Sequence, residues 1–240
     1  MRRTPLTRRT PDLGNTSGGS EWPMRATSLP AVLILHGELA ATIDLADITE
    51  STYVVAVDGG LAHARRLGLT PDVVVGDMDS ATDTDLAWAQ EVGAQVDVSP
   101  TDKDQTDLEL GLGYITARHS KVVVMGGEGG TPGHLFGNLL SLASERWAHS
   151  TIEWRIKNAT VRILHPGKPW VVSEHTGERV SLLPVHGRAI GVTTTGLQWS
   201  LNGAELRAGQ SRGISNKTTE VPATVSLTDG VLVIVTEDVL

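Results

Sequence analysis

The residues of this chain best placed for chemistry are the carboxylates that close the apolar runs of "VVAVDGGLAHARRLGLTPDVVVGDMDS", residues 54–80. The first run stops at Asp58-Gly59-Gly60 and the second at Gly76-Asp77-Met78-Asp79-Ser80. Two more acids, Asp104 and Asp107, stand in "TDKDQTDLELGL", and a glycine-rich stretch, "GGEGGTPGH", follows "KVVVM". In an extended segment residues i and i+2 project to the same side, so Asp77 and Asp79 are expected to face one cation together. Such oxygen ligands suit Mg²⁺, which takes one or two carboxylates and completes its shell with water and phosphate. Taken singly, these are ordinary polar turns and helix caps, and Asp107 could serve only the positive end of a helix. Their joint placement, each at a strand end or helix start, is what favours a bound cation.

That placement depends on the elements that carry the acids. Short β-branched runs at 31–36, 53–57, 73–75, 95–98 and 121–125 alternate with helical stretches at 61–67, 83–92, 107–118 and 135–147. Thr82 with Asp85 and Thr106 with Glu109 have the spacing of helix caps. Alternating strands and helices predict a mostly parallel sheet covered on both faces. Ligands of such sheets bind beyond the carboxyl ends of the strands, where these acids fall.

From about residue 158 the rhythm changes to short alternating runs: "ATVRILHPG", "PWVVSEHTG", "ERVSLLPVHG", "AIGVTTTG", "LQWSLNG", "ATVSLTDG" and "VLVIVTE". Turn residues recur about every ten positions, which reads as antiparallel β structure. The expected fold class is an α/β N-terminal domain with a mostly parallel sheet, followed by an all-β, sandwich-like C-terminal domain. Residues 29–155 and 156–240 are the two expected domains. Residues 1–28, rich in Arg, Thr, Ser, Gly and Pro, read as a disordered extension, with Met24 an alternative start to Met1.

Composition narrows the function classes. The net charge is −8 and Lys and Arg form no dense stripe outside the N-terminal 28 residues, which disfavours nucleic acid as the ligand. There are no cysteines, so disulfides and thiolate catalysis are excluded and a cytoplasmic setting fits. No apolar run approaches the roughly 18 residues of a membrane span. The chain has no GxxxxGK[ST] loop, no GxGxxG fingerprint and no GxSxG elbow. Its histidines form no HExxH pattern; His134 differs in following the glycine-rich stretch at a helix start.

The order of these motifs resembles the thiamine pyrophosphokinase (thiamin diphosphokinase) family. The resemblance is carried by "VDGGLAH", "PDVVVGDMDS", "DKDQTDLELGL", "GGEGGTPGHLFGNLLSL", "GERVSLLPV", "TTGLQWSL" and "GISN", from about residue 31 to 236. It implies transfer of the pyrophosphoryl group of ATP to the hydroxyl of thiamine, with Mg²⁺, in a homodimer. Asp77, Asp79 and Asp107 match the family's metal carboxylates. Asp58, Gly59, Gly60, Lys103, Asp104, Gly129, Gly130, Thr131 and His134 are the positions expected to lie close to the nucleotide. Asp79 or Asp104 would accept the hydroxyl proton. Gln105, Asn138, Trp199, Ser215 and Asn216 match positions near thiamine, Trp199 across the dimer interface; read without the resemblance, Trp199 is equally a core residue.

The chain departs from the family at one motif. Where the family has G-G-R-x-D-H, this sequence reads Gly129-Gly130-Thr131-Pro132-Gly133-His134. The missing Arg would have clamped phosphate with two hydrogen bonds, which leaves Lys103, Arg212 or Lys217 as replacements. Pyrophosphoryl transfer to another heteroaromatic alcohol, such as a hydroxymethylpterin, and a non-catalytic nucleotide or thiamine-phosphate sensor remain the alternative readings.

Overall fold

The protein is described from a computed structural model, which covers residues 30–39, 43–99, 105–167 and 169–237. Five short strands open the chain: β1 (Ala31–Ile34), β2 (Val54–Val57), β3 (Val73–Gly76), β4 (Gln95–Val98) and β5 (Lys121–Met125). They pair in parallel in the order β4-β3-β2-β1-β5. The helices between and after them are α1 (Gly60–Leu67), α2 (Asp83–Glu91), α3 (Asp107–Thr116) and α4 (Pro132–Leu142). Alternate strand residues point to opposite faces, so nearly every position of β1, β2 and β3 is apolar and buried. Leu33, Val55, Val75 and Val124 pack with Leu108, Leu112 and Ile115 of α3 and Leu142 of α4. On the other face Val32, Ile34, Ala56 and Val123 pack with Leu61 and Ala64 of α1 and Ala89 of α2.

Both expected caps are made. The Thr82 side chain accepts from the Asp85 N–H. At α3 the box is complete: Glu109 N–H donates to Thr106 Oγ1 and Thr106 N–H donates to the Glu109 carboxylate. These bonds satisfy amides that helical pairing leaves over and fix where α3 begins, with Asp107 at its first position.

The sheet then continues without a break. β6 (Thr151–Ile156) adds to β5 in parallel and β7 (Ala159–Leu164) returns antiparallel to it. Beyond them lie β13 (Asp229–Glu237), β9 (Arg179–Thr195), β12 (Ala223–Ser226) and β8 (Trp170–Ser173), with β10 (Ala204–Arg207) and β11 (Asn216–Lys217) paired to β9. The hydrogen-bonded path thus crosses residues 155 and 156 inside one mixed sheet, with parallel strands first and antiparallel strands after. The antiparallel strands enclose a second core of Val180, Leu182, Val192, Leu206, Val225 and their neighbours. β13 is the wall between the cores: Val231 and Val233 face the first, Leu232 and Ile234 the second.

Several expected bounds move. The fourth helix begins at Pro132 rather than at 135, because Thr131 caps it and proline suits the first turn. It stops at Leu142, and Ser144 caps a separate 3-10 turn, Glu145–Trp147. The runs "ERVSLLPVHG" and "AIGVTTTG" are one long strand, β9, which pairs first with β13 and then with β12. "LQWSLNG" is not a strand; apart from a single bridge at Leu197 it is a loop. β6, β10 and β11 stand where no strand was expected. Among the described residues no helix is long and apolar enough to cross a membrane.

Candidate active site

The carboxyl ends of β1, β2, β3 and β5 lie on one edge of the sheet, since these strands are parallel. The chain runs outward from β1 through β4 and returns to place β5 on the other side of β1. That reversal opens a crevice between the loops after β1 and β5. The crevice is a cleft of about 580 Å³, bordered by residues 35–38, Val57, Asp58, Asp77, 105–108, 127–130, His134 and Asn138.

Three of its acids converge. Asp58, Asp77 and Asp107 each offer a carboxylate oxygen, and these oxygens lie within 4.8 Å of one another. Three elements bring them there: the end of β2, the end of β3 and the capped start of α3. Asp58 is only 8% exposed. Its backbone is left-handed, with φ 49°, a conformation that Asp adopts more readily than most residues. Asp58 Oδ1 accepts the Ser80 N–H at 3.2 Å. Burial holds this carboxyl above its ordinary range, and the charge of Asp79 adds to the effect, while hydrogen bonds from Ser80 and Gly59 oppose it. Hard oxygen donors crowded this way fit a divalent cation, which would relieve their mutual repulsion.

Glycine makes the approach possible at two points. Gly76 has φ 137°, and a Cβ there would stand 3.0 Å from the Asp58 Cβ. At Gly59 a Cβ would stand 2.3 Å from the His36 ring. Larger residues would separate the strand ends that aim the acids.

Asp79 departs from the extended geometry expected of it. Met78 has φ 64°, so the backbone turns between the two acids and the i, i+2 argument does not apply. Asp79 N–H donates to Asp77 Oδ1 at 3.2 Å, and the Asp79 carboxylate accepts from the Ser80 hydroxyl at 3.0 Å. It stands beside the three converging acids rather than among them, and Asp58 takes the third place.

Of the other expected nucleotide positions, Gly129, Gly130 and His134 border the cleft. Thr131 caps α4, its hydroxyl accepting the His134 N–H at 3.4 Å. Gly59 and Gly60 form the first turn of α1 behind Asp58. Gln105 and Asn138 border the cleft as well, and Asn138 Nδ2 donates to the Gly127 carbonyl at 3.1 Å. Lys103 and Asp104 lie outside the described residues. Among the described residues no Lys or Arg borders the cleft, Arg212 and Lys217 included.

Trp199, Ser215 and Asn216 form a separate corner on the antiparallel strands. Trp199 is 59% exposed, which removes the core-residue reading. Asn216 is buried and grips the Trp199 backbone, Oδ1 accepting its N–H at 3.1 Å and Nδ2 donating to its carbonyl at 2.8 Å. Ser215, with φ 58°, donates its N–H to Ser181 Oγ at 3.1 Å. None of the three borders the cleft of its own chain.

Two acids of the cleft went unforeseen. Glu38 and Glu128 face each other across an antiparallel bridge, each within a loop that follows a strand. The only available signal was that both follow strands of the parallel set, β1 and β5. His36 was missed as well; it stacks on His63, with ring centroids 6.4 Å apart, and His63 Nε2 lies 2.7 Å from the Gly37 carbonyl oxygen.

Comparison with known proteins finds the same family in both halves. The model described as "Thiamin pyrophosphokinase, catalytic domain" matches residues 46–154, and "Thiamin pyrophosphokinase, vitamin B1 binding domain" matches residues 171–232. The chain is 26% identical over 187 residues to the thiamine pyrophosphokinase of Bacillus subtilis, covering 78% of this chain and 87% of that one. It is 31% identical over 176 residues to thiamine pyrophosphokinase 1 of Arabidopsis thaliana, covering 68% of this chain and 64% of the longer plant protein. The crystal structure of the Bacillus subtilis enzyme superimposes with a TM-score of 0.74 at 25% identity, over 88% of this chain and all of that one. That of Geobacillus thermodenitrificans gives 0.73 at 25% identity, over 87% and 97%.

Proposed function

The chain belongs to the thiamin pyrophosphokinase family, and we propose that its activity, transfer of the pyrophosphoryl group of ATP to thiamine, is carried by the acid cleft. The observation that carries this reading is the convergence of Asp58, Asp77 and Asp107 at the carboxyl edge of the sheet. Those three carboxylates would hold Mg²⁺; when bound, the cation neutralises phosphate charge and aligns the displacement. Gly129, Gly130 and the amino end of α4 offer backbone donors to the phosphate oxygens, in a cleft where no described Lys or Arg does so.

The hydroxyl oxygen of thiamine attacks the β-phosphorus of ATP. The bond from that phosphorus to the oxygen it shares with the α-phosphate breaks, and AMP leaves. The hydroxyl proton passes to a carboxylate, Asp79 beside the converging acids or Asp104. Thiamine is a flat cation, and the exposed face of Trp199 is a suitable wall for it. Trp199 and Asn216 stand apart from the cleft of their own chain, so we place thiamine between the cleft of one protomer and the Trp199 corner of a second, in a homodimer.

The test is AMP formation from ATP and Mg²⁺, with and without thiamine, beside Asp77→Ala. Thiamine-dependent AMP that vanishes in the variant supports the reading. AMP formation that ignores thiamine but answers another alcohol would reassign the acceptor. ATP binding with no AMP would make the protein a sensor.

A further inference from the structure

The segment from Gly126 to Gly130 has one side chain, that of Glu128, between two pairs of glycines whose φ angles run from 65° to 77°. Glycine contributes no stiffness of its own, so the shape of this loop must be imposed by its neighbours. Four ties reach its backbone. The Gly126 carbonyl accepts from buried Trp154 Nε1 at 2.7 Å, the Gly127 N–H donates to the His36 carbonyl at 2.8 Å, the Gly127 carbonyl accepts from Asn138 Nδ2 at 3.1 Å, and the Glu128 carbonyl accepts the Glu38 N–H at 2.6 Å. A fifth tie uses a side chain: Glu128 Oε1 accepts the Lys157 N–H, in the turn between β6 and β7, at 2.6 Å. Past Glu128 the loop reaches the cleft, and among the described residues the N–H groups of Gly129, Gly130 and Thr131 donate no hydrogen bond. They are the donors left over for a ligand.

We propose that Glu128 is a positioning residue for the nucleotide: by gripping the β6–β7 turn it sets the phosphate-facing amides of the glycine loop, in a chain whose loop has Thr131 in place of an arginine. An arginine would follow the phosphates on a flexible arm, whereas backbone amides must already be in place. The glycine loop cannot hold them in place unaided. Glu128 acts through one lone pair on one oxygen, not through charge. Burial holds the carboxyl above its ordinary range and the charge of Glu38 adds to this, while the Lys157 N–H and the Lys157 charge oppose it. A neutral acceptor of the same shape would therefore serve equally well.

This inference rests on the pyrophosphokinase reading, and its test separates the two. Binding of Mg²⁺ with the α,β-methylene analogue of ATP is measured by calorimetry, and KM for ATP and for thiamine by AMP release, in wild type, Glu128→Ala and Glu128→Gln. The expected result is a roughly tenfold weaker analogue affinity and higher KM for ATP in Glu128→Ala, on the scale of other supporting residues. Glu128→Gln, which keeps the acceptor oxygen, is expected within about twofold of wild type, with KM for thiamine unmoved in both. Unchanged nucleotide affinity in Glu128→Ala overturns the proposal, as does a Glu128→Gln variant that is equally weak. Parallel loss of both substrates overturns it too. A wild-type protein that binds no analogue sinks the functional reading and this inference with it.

Discussion

The acid cleft and the Trp199 corner are built on opposite plans. The cleft is concave, assembled from four strand ends and a capped helix, and its acids are aimed by backbone that cannot move without disturbing a core. The corner projects into solvent: a ring 59% exposed, on a loop, held by the amide of one buried asparagine. One region has walls and, among the described residues, no Lys or Arg; the other has an aromatic face and lacks walls. Each supplies what the other is missing, which is why a site between two copies of the chain is proposed.

The contrast can be broken most forcefully at the acids. Asp77→Ala is expected to lower kcat by about a thousandfold, the loss of several kcal/mol of charge neutralisation, while the fold is kept. An equal fall from Trp199→Ala would show that the two regions do not differ in kind. Asn216→Ala should come next, because it strands the Trp199 and Lys217 N–H groups and the Trp199 carbonyl. Urea unfolding should register a loss of about 2 kcal/mol, with a higher KM for thiamine.

Trp199→Ala sharpens the comparison from the other side. A cation over an aromatic face contributes about 1–2 kcal/mol, so KM for thiamine should rise roughly tenfold. Stability should stay within about 0.5 kcal/mol, as for other exposed sites, and KM for ATP should not move. The smallest effect is expected from Thr131→Arg. It adds a two-pronged phosphate ligand to a cleft that has no arginine among the described residues, and removes a helix cap worth about 1 kcal/mol. KM for ATP should fall about threefold with a slightly lower melting temperature, and no fall would mean that the loop amides already saturate the phosphates.

The parallel half of the fold was legible because its signals are local. The buried strands β1, β2, β3 and β5 read as Val-rich apolar runs, and Thr106 with Glu109 announces a helix start from four residues. The acids at those ends were legible for the same reason. The turn before Asp79 was not legible, because Met78 has a left-handed backbone that methionine seldom adopts. Glu38 and Glu128 stayed hidden because they meet through a bridge between loops far apart in sequence. β9 was split in two, since "VHGRAIG" carries the residues of a turn while its flanks find β13 and β12 as separate partners.

The strand that walls both cores, β13, is also the last of the described strands to be synthesised. At about 5–20 residues per second, translation takes on the order of ten to forty seconds to get from β1 to β13. For about the last third of that interval Val161 and Ile163 of β7, and then Val180 and Leu182 of β9, have been made and wait beside a missing neighbour. Two open strand edges with apolar faces are then presented to whatever is nearby, including the same edges on a nascent copy. The interval before β13 emerges is thus when these apolar edges are open, and a slower ribosome would lengthen it.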